Sequence, residues 1–477
     1  QMNLFKDMVC YQEEVRDPSR IAEVLNRVIE KAIRGSAPAQ INVPRDYWTQ
    51  VIDIELPPIV RLERQAGGVA AIEEAAKLLS DAKFPVILSG AGVVIGGAIE
   101  DCVKLAEKLD SPVCSGYQHN DSFPGSHPLA VGPLGYNGSK AAMELISKAD
   151  VVLALGTRLN PFSTLPGYGI DYWPKNAKII QVDMNSDRIG LTKKVTVAIC
   201  GDAKMVAQQL LGKLSPKAGD ADRQKRKDLI HQTKSAWLQK LSSLDHEEDD
   251  EGTVWNKEAR ERDKDRMSPR QAWRAIQAGM PQDVIISSDI GNNCAIGNAY
   301  PTFEKGRKYL APGLFGPCGY GFPAILGAKI GCPDTPVIGF AGDGAFGISM
   351  NEMSSCAREE WPSITMVIFR NYQWGAEKRN TTLWFDNNFV GTELDPELSY
   401  AKVADACGLK GVTVRTMEET TKAIKQSCDD QKKGITTFIE VILNQELGEP
   451  FRRDAMKKPV RVAGIKKEDM KPQKGLN

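Results

Sequence analysis

The 477-residue chain has no excess of charge of either sign: 61 Lys and Arg face 61 Asp and Glu. That balance gives no reason to expect nucleic acid or an anionic membrane surface as a partner. No stretch approaches the roughly 18 uninterrupted apolar residues of a membrane span. The ten cysteines, at 10, 102, 114, 200, 294, 318, 332, 356, 407 and 428, form no CxxC pair. Neither a zinc knuckle nor a disulfide framework is therefore indicated. Most of them fall in apolar strands or helices, where a small buried hydrophobe in a reducing cytoplasm is expected. Histidine is scarce at four, and two of these, His231 and His246, lie in densely charged sequence that reads as exposed. A complete GxGxxG is also missing. Gly90-Ala91-Gly92 reads equally as a dinucleotide-binding loop or as a tight strand-to-helix turn.

What is present is an ordinary globular composition, 42% apolar and 26% charged, over a length that suggests two or three domains. Residues 1–58 end in the strand-like "QINVPRDYW" and a Pro-punctuated stretch. They are expected to be the tail of a domain whose beginning lies upstream of Gln1. Residues 59–213 alternate helical and strand patterns, which predicts parallel βαβ units with helices on both faces of the sheet. Residues 214–267 are dense in mixed charge and read as solvated helix and linker. Residues 268–444 form a second α/β block, opened by the helix-starting pair Ser268-Pro269. A helix is expected in it from about residue 349. The polar, basic residues 445–477 are expected to form an extended arm. The fold class is α/β, as successive doubly wound parallel-sheet domains.

In the second block, "VIGFAGDGAFG" ends an apolar strand in Gly342-Asp343-Gly344. Open parallel sheets bind ligands beyond the carboxyl ends of their strands. Glycines there let the backbone approach a ligand, and the N–H groups of Ala345 and Phe346 are placed to face a phosphate. A carboxylate in a phosphate site repels it unless a cation lies between them. Asp343 therefore asks for a hard divalent ion, most simply Mg²⁺. The next strand ends in "FRNYQWG", which brings the Asn371 amide to the same edge, followed by the Gln373 carbonyl. Asp343, Asn371 and Gln373 make a candidate metal set. Either dipeptide alone, DG or NY, is an ordinary turn.

Together the two stretches resemble the diphosphate motif of thiamine diphosphate enzymes, GDG followed by NN, with Arg370 in place of the first Asn. "SDIGNNCA" and "GPCGYGFPAILGA" resemble the parts of that superfamily that hold the diphosphate tail and the aminopyrimidine. The resemblance implies cofactor contacts at Gly291, Asn292, Asn293, Cys318, Gly319, Gly342, Asp343, Gly344, Ala345, Phe346 and Asn371. Cys318 stands where acetolactate synthase relatives commonly carry a Met that keeps the cofactor bent. "GDGAFGISMNEM", "VIFRNYQWGAEKRNTTLWFDNNFVGTEL" and "NQELGEPFRRDAMKKPV" are similar to the sulfoacetaldehyde acetyltransferase family along the whole chain.

That family implies conversion of sulfoacetaldehyde and phosphate to acetyl phosphate and sulfite, with thiamine diphosphate and Mg²⁺, in a cytoplasmic homodimer or homotetramer. Its catalytic Glu would lie upstream of Gln1, so the 477 residues alone are expected to turn over negligibly. Two small anions need recognition, and Lys378 and Arg379, just after the metal strand, are candidate contacts. A solvated charged helix accounts for them equally. His119 and His127, in a Gly- and Pro-rich loop, are candidates for general acid–base work or for structural hydrogen bonds.

Overall fold

The computed structural model describes residues 1–58, 63–215, 223–244, 261–313, 315–385 and 388–446. Its first unit is small. Strand β1 (Tyr11–Glu14), helix α1 (Ile21–Gly35) and strand β2 (Ala39–Asn42) form one parallel pair with its crossover helix. Val15, Val24 and Val28 make its core.

The central block begins with α2 (Val69–Asp81), β3 (Pro85–Ser89), α3 (Ala91–Gly96), α4 (Ile99–Leu109), β4 (Val113–Ser115) and β5 (Ala130–Pro133). It continues through α5 (Lys140–Ile146), β6 (Val151–Leu155), β7 (Lys178–Asp183), β8 (Val197–Cys200) and α6 (Ala203–Lys213). The sheet order is β5-β4-β3-β6-β7-β8, and every pairing is parallel. This is the doubly wound order, with its switch point between β3 and β6. At that point the glycines of Gly90-Ala91-Gly92 serve close packing. Gly92 N donates to Gly156 O at 2.8 Å, and a Cβ at Gly92 would lie 2.7 Å from Gly156 Cα. The tight-turn reading thus has a physical basis, because the Gly92 N–H is already spent on the protein. Strand β5 falls inside the stretch expected to be loop.

Helix α7 (Arg223–Ser243) lies in the stretch read as solvated helix and linker, and one of its faces is packed, not solvated. Arg226, Ile230, Trp237 and Leu241 are buried on one face. Trp237 meets Tyr168 edge-on at 5.5 Å, and Lys234 Nζ donates to His127 O at 2.9 Å. His231 is exposed, and His246 lies outside the described residues.

The carboxyl-terminal block contains α8 (Pro269–Gly279), β9 (Ile285–Ser288), α9 (Asn292–Ile296), β10 (Tyr309–Leu310), α10 (Gly321–Gly331), β11 (Val337–Gly342) and α11 (Asp343–Ser349). Beyond these lie β12 (Thr365–Arg370), α12 (Gly375–Trp384), α13 (Tyr400–Ala406), β13 (Lys410–Val414), α14 (Met417–Gln431) and β14 (Thr437–Ile442). The order β10-β9-β11-β12-β14-β13 is again all parallel. Helix α8 starts in a capping box: Ser268 Oγ accepts from Gln271 N at 3.1 Å, and Gln271 Oε1 accepts from Ser268 N at 2.9 Å. Both faces of the sheet are covered. Trp273, Phe340 and Phe369 pack on one, Phe322, Phe346 and Phe438 on the other.

The two large blocks meet through buried polar groups. Asn120 Nδ2 donates to Asn298 O and Pro301 O, both at 2.8 Å, and Asn298 Nδ2 donates to Tyr136 O at 3.1 Å. Asp121 Oδ2 accepts from Lys308 N at 2.9 Å and Tyr309 N at 3.3 Å. Among the described residues no helix is long and apolar enough to cross a membrane.

Candidate functional site

Strands β9, β11 and β12 are neighbours, and their carboxyl ends gather most of the residues singled out in the sequence. The register pairs Gly342 with Phe369, so Asp343 stands level with Arg370 and one step before Asn371. A helix does not wait until residue 349: α11 begins at Asp343 itself. A carboxylate in the first turn of a helix is favoured by the local dipole, and Gly344 N donates to Asp343 Oδ1 at 3.0 Å. Gly344 is needed because a Cβ there would lie 2.8 Å from the Trp374 ring. Ala345 and Phe346 lie within this helix, and the Phe346 ring meets Tyr400 at 5.1 Å.

Asp343 is not a lone carboxylate. Its Oδ2 accepts from Arg370 Nη1 at 3.0 Å and from Tyr372 N at 2.6 Å. Both it and Arg370 are 1% exposed at the side chain. Burial pushes the Asp343 carboxyl up to about 6, against the opposing pull of Arg370 and the Tyr372 N–H. Its charge therefore has an internal partner as well as any cation. Asn371 and Gln373 are buried beside it. Between them Tyr372 takes a left-handed backbone with φ 62°, which turns the chain sharply after the strand. Gln373 bridges Glu393 in an antiparallel pair, and its Nε2 donates to Gln445 O at 3.1 Å.

The β9 end is built around Asp289. Its Oδ1 accepts from Ile290 N at 2.8 Å and Gly319 N at 3.1 Å, and its Oδ2 from Gly321 N at 2.7 Å. It thereby joins the Gly291 turn to the loop carrying Cys318 and Gly319. Gly291 has φ 140° and Gly319 has φ 87°, backbones that favour glycine. Trp273 Nε1 donates to Asn293 O at 2.7 Å and fixes the start of α9. Cys318 is half-buried, and its thiol is pushed up by burial and then by Asp289 and Glu377, which keeps it protonated.

Lys378 and Arg379 sit on α12 but are not solvated. Both are buried. Lys378 Nζ pairs with Glu393 Oε1 and donates to Gln445 Oε1 at 3.3 Å. Arg379 Nη1 donates to the Tyr136 hydroxyl across the seam between the blocks. Lys378 thus shares Gln445 with Gln373, whereas Arg379 faces the central block. His127 makes structural contacts: Leu129 N donates to its Nδ1 at 3.2 Å, and its ring meets Phe123 edge-on at 5.2 Å. His119 is held down to about 4 by burial and by Arg158, so its imidazole is neutral at neutral pH. Of the expected arm, Gln445 and Glu446 are buried and the remainder lies outside the described residues.

These atoms can be tested against the cofactor and metal that the motif implies. A carboxylate offers about four lone-pair sites; Asp343 has three protein donors, which leaves room for one monodentate cation. Asp343, Arg370 and Glu440 together carry one net negative charge, which suits a divalent ion shared with a diphosphate. The Asn292 side-chain nitrogen is buried and has no hydrogen-bond partner among the described residues, a donor that an anion would satisfy. A Cβ on Gly342 or Gly291 would meet no atom of the described residues within 4 Å, which leaves room for a ligand there. Among the described residues no three His, Cys, Asp or Glu could hold a metal together. A cation at this edge would rest instead on one carboxylate, one amide and a carbonyl. The residues fit the groups. The residues that sequence reasoning missed are Asp289, Glu440 and the structural part played by Arg370. Their one visible signal is a charge inside an apolar run.

Comparison with known proteins identifies the family of the two large blocks. The model of the thiamine pyrophosphate enzyme central domain matches residues 72–210, and that of the C-terminal TPP binding domain matches residues 289–441. A probable sulfoacetaldehyde acetyltransferase of Rhizobium meliloti (strain 1021) is 78% identical over 476 residues, covering 100% of this chain and 80% of the relative. The sulfoacetaldehyde acetyltransferase of Roseovarius nubinhibens is 74% identical over 473 residues, covering 99% and 78%. Among solved structures, benzoylformate decarboxylase from Polynucleobacter necessarius superposes with a TM-score of 0.71 at 18% identity, covering 94% of this chain and 78% of that one. The latter likeness speaks for the fold alone. Two domain models over the two large blocks, and relatives this similar from end to end, place the chain in the sulfoacetaldehyde acetyltransferase family of thiamine diphosphate-dependent acyltransferases.

Proposed function

We propose that the protein, with thiamine diphosphate and Mg²⁺, converts sulfoacetaldehyde and phosphate to acetyl phosphate and sulfite. What supports this reading most is a chain 78% identical to a relative named for this activity, with Asp343 and Asn371 at the ends of neighbouring strands and an Asn292 side-chain nitrogen that has no hydrogen-bond partner among the described residues. When bound, the cofactor supplies a thiazolium carbon nucleophile that activates the aldehyde carbon. The protein's own residues bind and orient it. Asp343, the Asn371 amide and the Gln373 carbonyl would hold Mg²⁺, and Gly291 and Asn292 would face the diphosphate. Asp289 holds the Cys318 loop in place beside them. Lys378 and Arg379 brace α12 through Glu393, Gln445 and Tyr136. We further infer a cytoplasmic homodimer or homotetramer.

The test is phosphate-dependent sulfite release from sulfoacetaldehyde with both cofactors added. It uses the purified protein. Sulfite released in proportion to phosphate is the expected result. Turnover of pyruvate to acetolactate, with no sulfite from sulfoacetaldehyde, would overturn the reading.

A further inference from the structure

The motif that the chain resembles has Asn where this chain has Arg370, and the structure gives that arginine a task. It ends β12, and a charge so deeply buried persists only where it is paired. Its donors reach three separate segments. Nη1 donates to Asp343 Oδ2 at 3.0 Å, and Nη2 donates to Leu398 O at 3.0 Å and to Asp395 O. Nε lies 3.8 Å from Glu440 Oε1. The guanidinium carbon stands 4.2 Å from the Tyr372 ring centroid and 5.5 Å from that of Tyr400. Glu440 is itself held by Ser399 Oγ at 2.7 Å and Tyr400 N at 3.1 Å. Tyr400 closes the circle, its hydroxyl donating to Asp343 O at 2.9 Å. An asparagine has no group that spans these distances.

The geometry around Asn371 makes the arrangement functional. Arg370 and Tyr372, the residues on either side of Asn371, both donate to the same oxygen of Asp343. We propose that Arg370 is the positioning residue of the metal site. With the Tyr372 N–H it grips Asp343 Oδ2, fixes that carboxylate relative to Asn371, and leaves the free acceptor capacity on Oδ1. Its second nitrogen ties the same point to residues 395–398, so that the segment after α12 and the metal edge are held as one piece. The inference rests on the reading of Asp343 and Asn371 as metal ligands.

The experiment measures Mn²⁺ binding to the protein by electron paramagnetic resonance at saturating thiamine diphosphate. Arg370→Gln is compared with Arg370→Lys. The pair Arg370→Gln with Glu440→Gln removes one of the two carboxylates left without a cation and restores the parent's one net negative charge, and so protects the fold. Circular dichroism and elution volume confirm folding in each. Arg370→Gln and the double variant are expected to bind Mn²⁺ at least tenfold more weakly than the parent, with a changed spectrum, and Arg370→Lys to fall between. A folded double variant with parental Mn²⁺ affinity and spectrum, whatever its thermal midpoint, would overturn the proposal. A parent that binds no Mn²⁺ with the cofactor would instead overturn the functional reading beneath it.

Discussion

Acid should find a weak point at His119. The imidazole lies in the loop after β4, partly buried, with Arg158 nearby, and is depressed from 6.5 to about 4. The unfolded chain takes up this proton near pH 6.5, whereas the folded chain resists until about pH 4. The group's contribution is thus fully present above pH 6.5 and is lost as pH falls towards 4. The full depression corresponds to about 3 kcal/mol. Partial exposure of the ring screens some of it, leaving ~2 kcal/mol at pH 4.5. For a domain the size of the central block that is a fall of about 4–8 °C in thermal midpoint. The assay compares parent and His119→Gln at pH 7.5 and pH 4.5. Carboxylate titrations common to both proteins cancel in the difference. The variant should lose about 4–8 °C less than the parent over this interval. Equal losses would show that the imidazole is protonated in the folded protein, and the argument from burial and Arg158 would fail. The same neutrality bears on catalysis, because an imidazole that is already neutral has no proton to give.

Other expectations follow from the strand-end geometry. Asp343→Ala should abolish metal-dependent cofactor binding, read by calorimetric titration; thiamine diphosphate affinity equal to the parent's would remove the metal assignment. It should also disturb the metal-free fold, since the carboxylate then left to face Arg370 is the more distant Glu440, at 3.8 Å. Gly344→Ala places a methyl against the Trp374 ring and should destabilise by about 1–3 kcal/mol, as overpacking does; an unchanged urea midpoint would contradict that contact. Tyr136→Phe removes the hydroxyl that accepts from Arg379 and should cost about 1–3 kcal/mol. Faster hydrogen exchange in α12 is the expected signature, and parental protection there would speak against the contact.

The parallel strands were legible because burial on both faces writes them as continuous apolar runs, such as Val337–Gly342 and Thr365–Arg370. The start of α8 was legible because Ser268, Pro269 and Gln271 carry a local capping code. Strand β5 was hidden by Gly132 and Pro133, which read as loop, and β10 by its two-residue length. The early start of α11 was hidden by glycines that favour no helix, whereas tertiary packing against Trp374 and Tyr400 decides it. Within the site, Asp343, Asn371 and the Gly291 turn could be placed because each sits at the end of a recognisable strand. The partners of Arg370, Lys378 and Arg379 could not. Asp343, Glu440, Gln445 and Tyr136 are far away in sequence, and a single chain carries no record of who meets whom. Charge density on α12 suggested water or substrate as its surroundings, and the folded chain supplies other protein groups.

The buried amides and carboxylate at the seam between the two large blocks have a consequence for how such proteins can be taken apart and recombined. Asn120, Asn298 and Asp121 satisfy backbone groups of the opposite block, including the N–H groups of Lys308 and Tyr309. Cutting the chain between the blocks strands polar atoms on both cut surfaces, and exchanging one block for a distant relative's mismatches them. Chimeras that move the two blocks together should express as soluble protein, whereas those joined between them should accumulate as aggregates. The unit to be exchanged between relatives is therefore the pair of blocks.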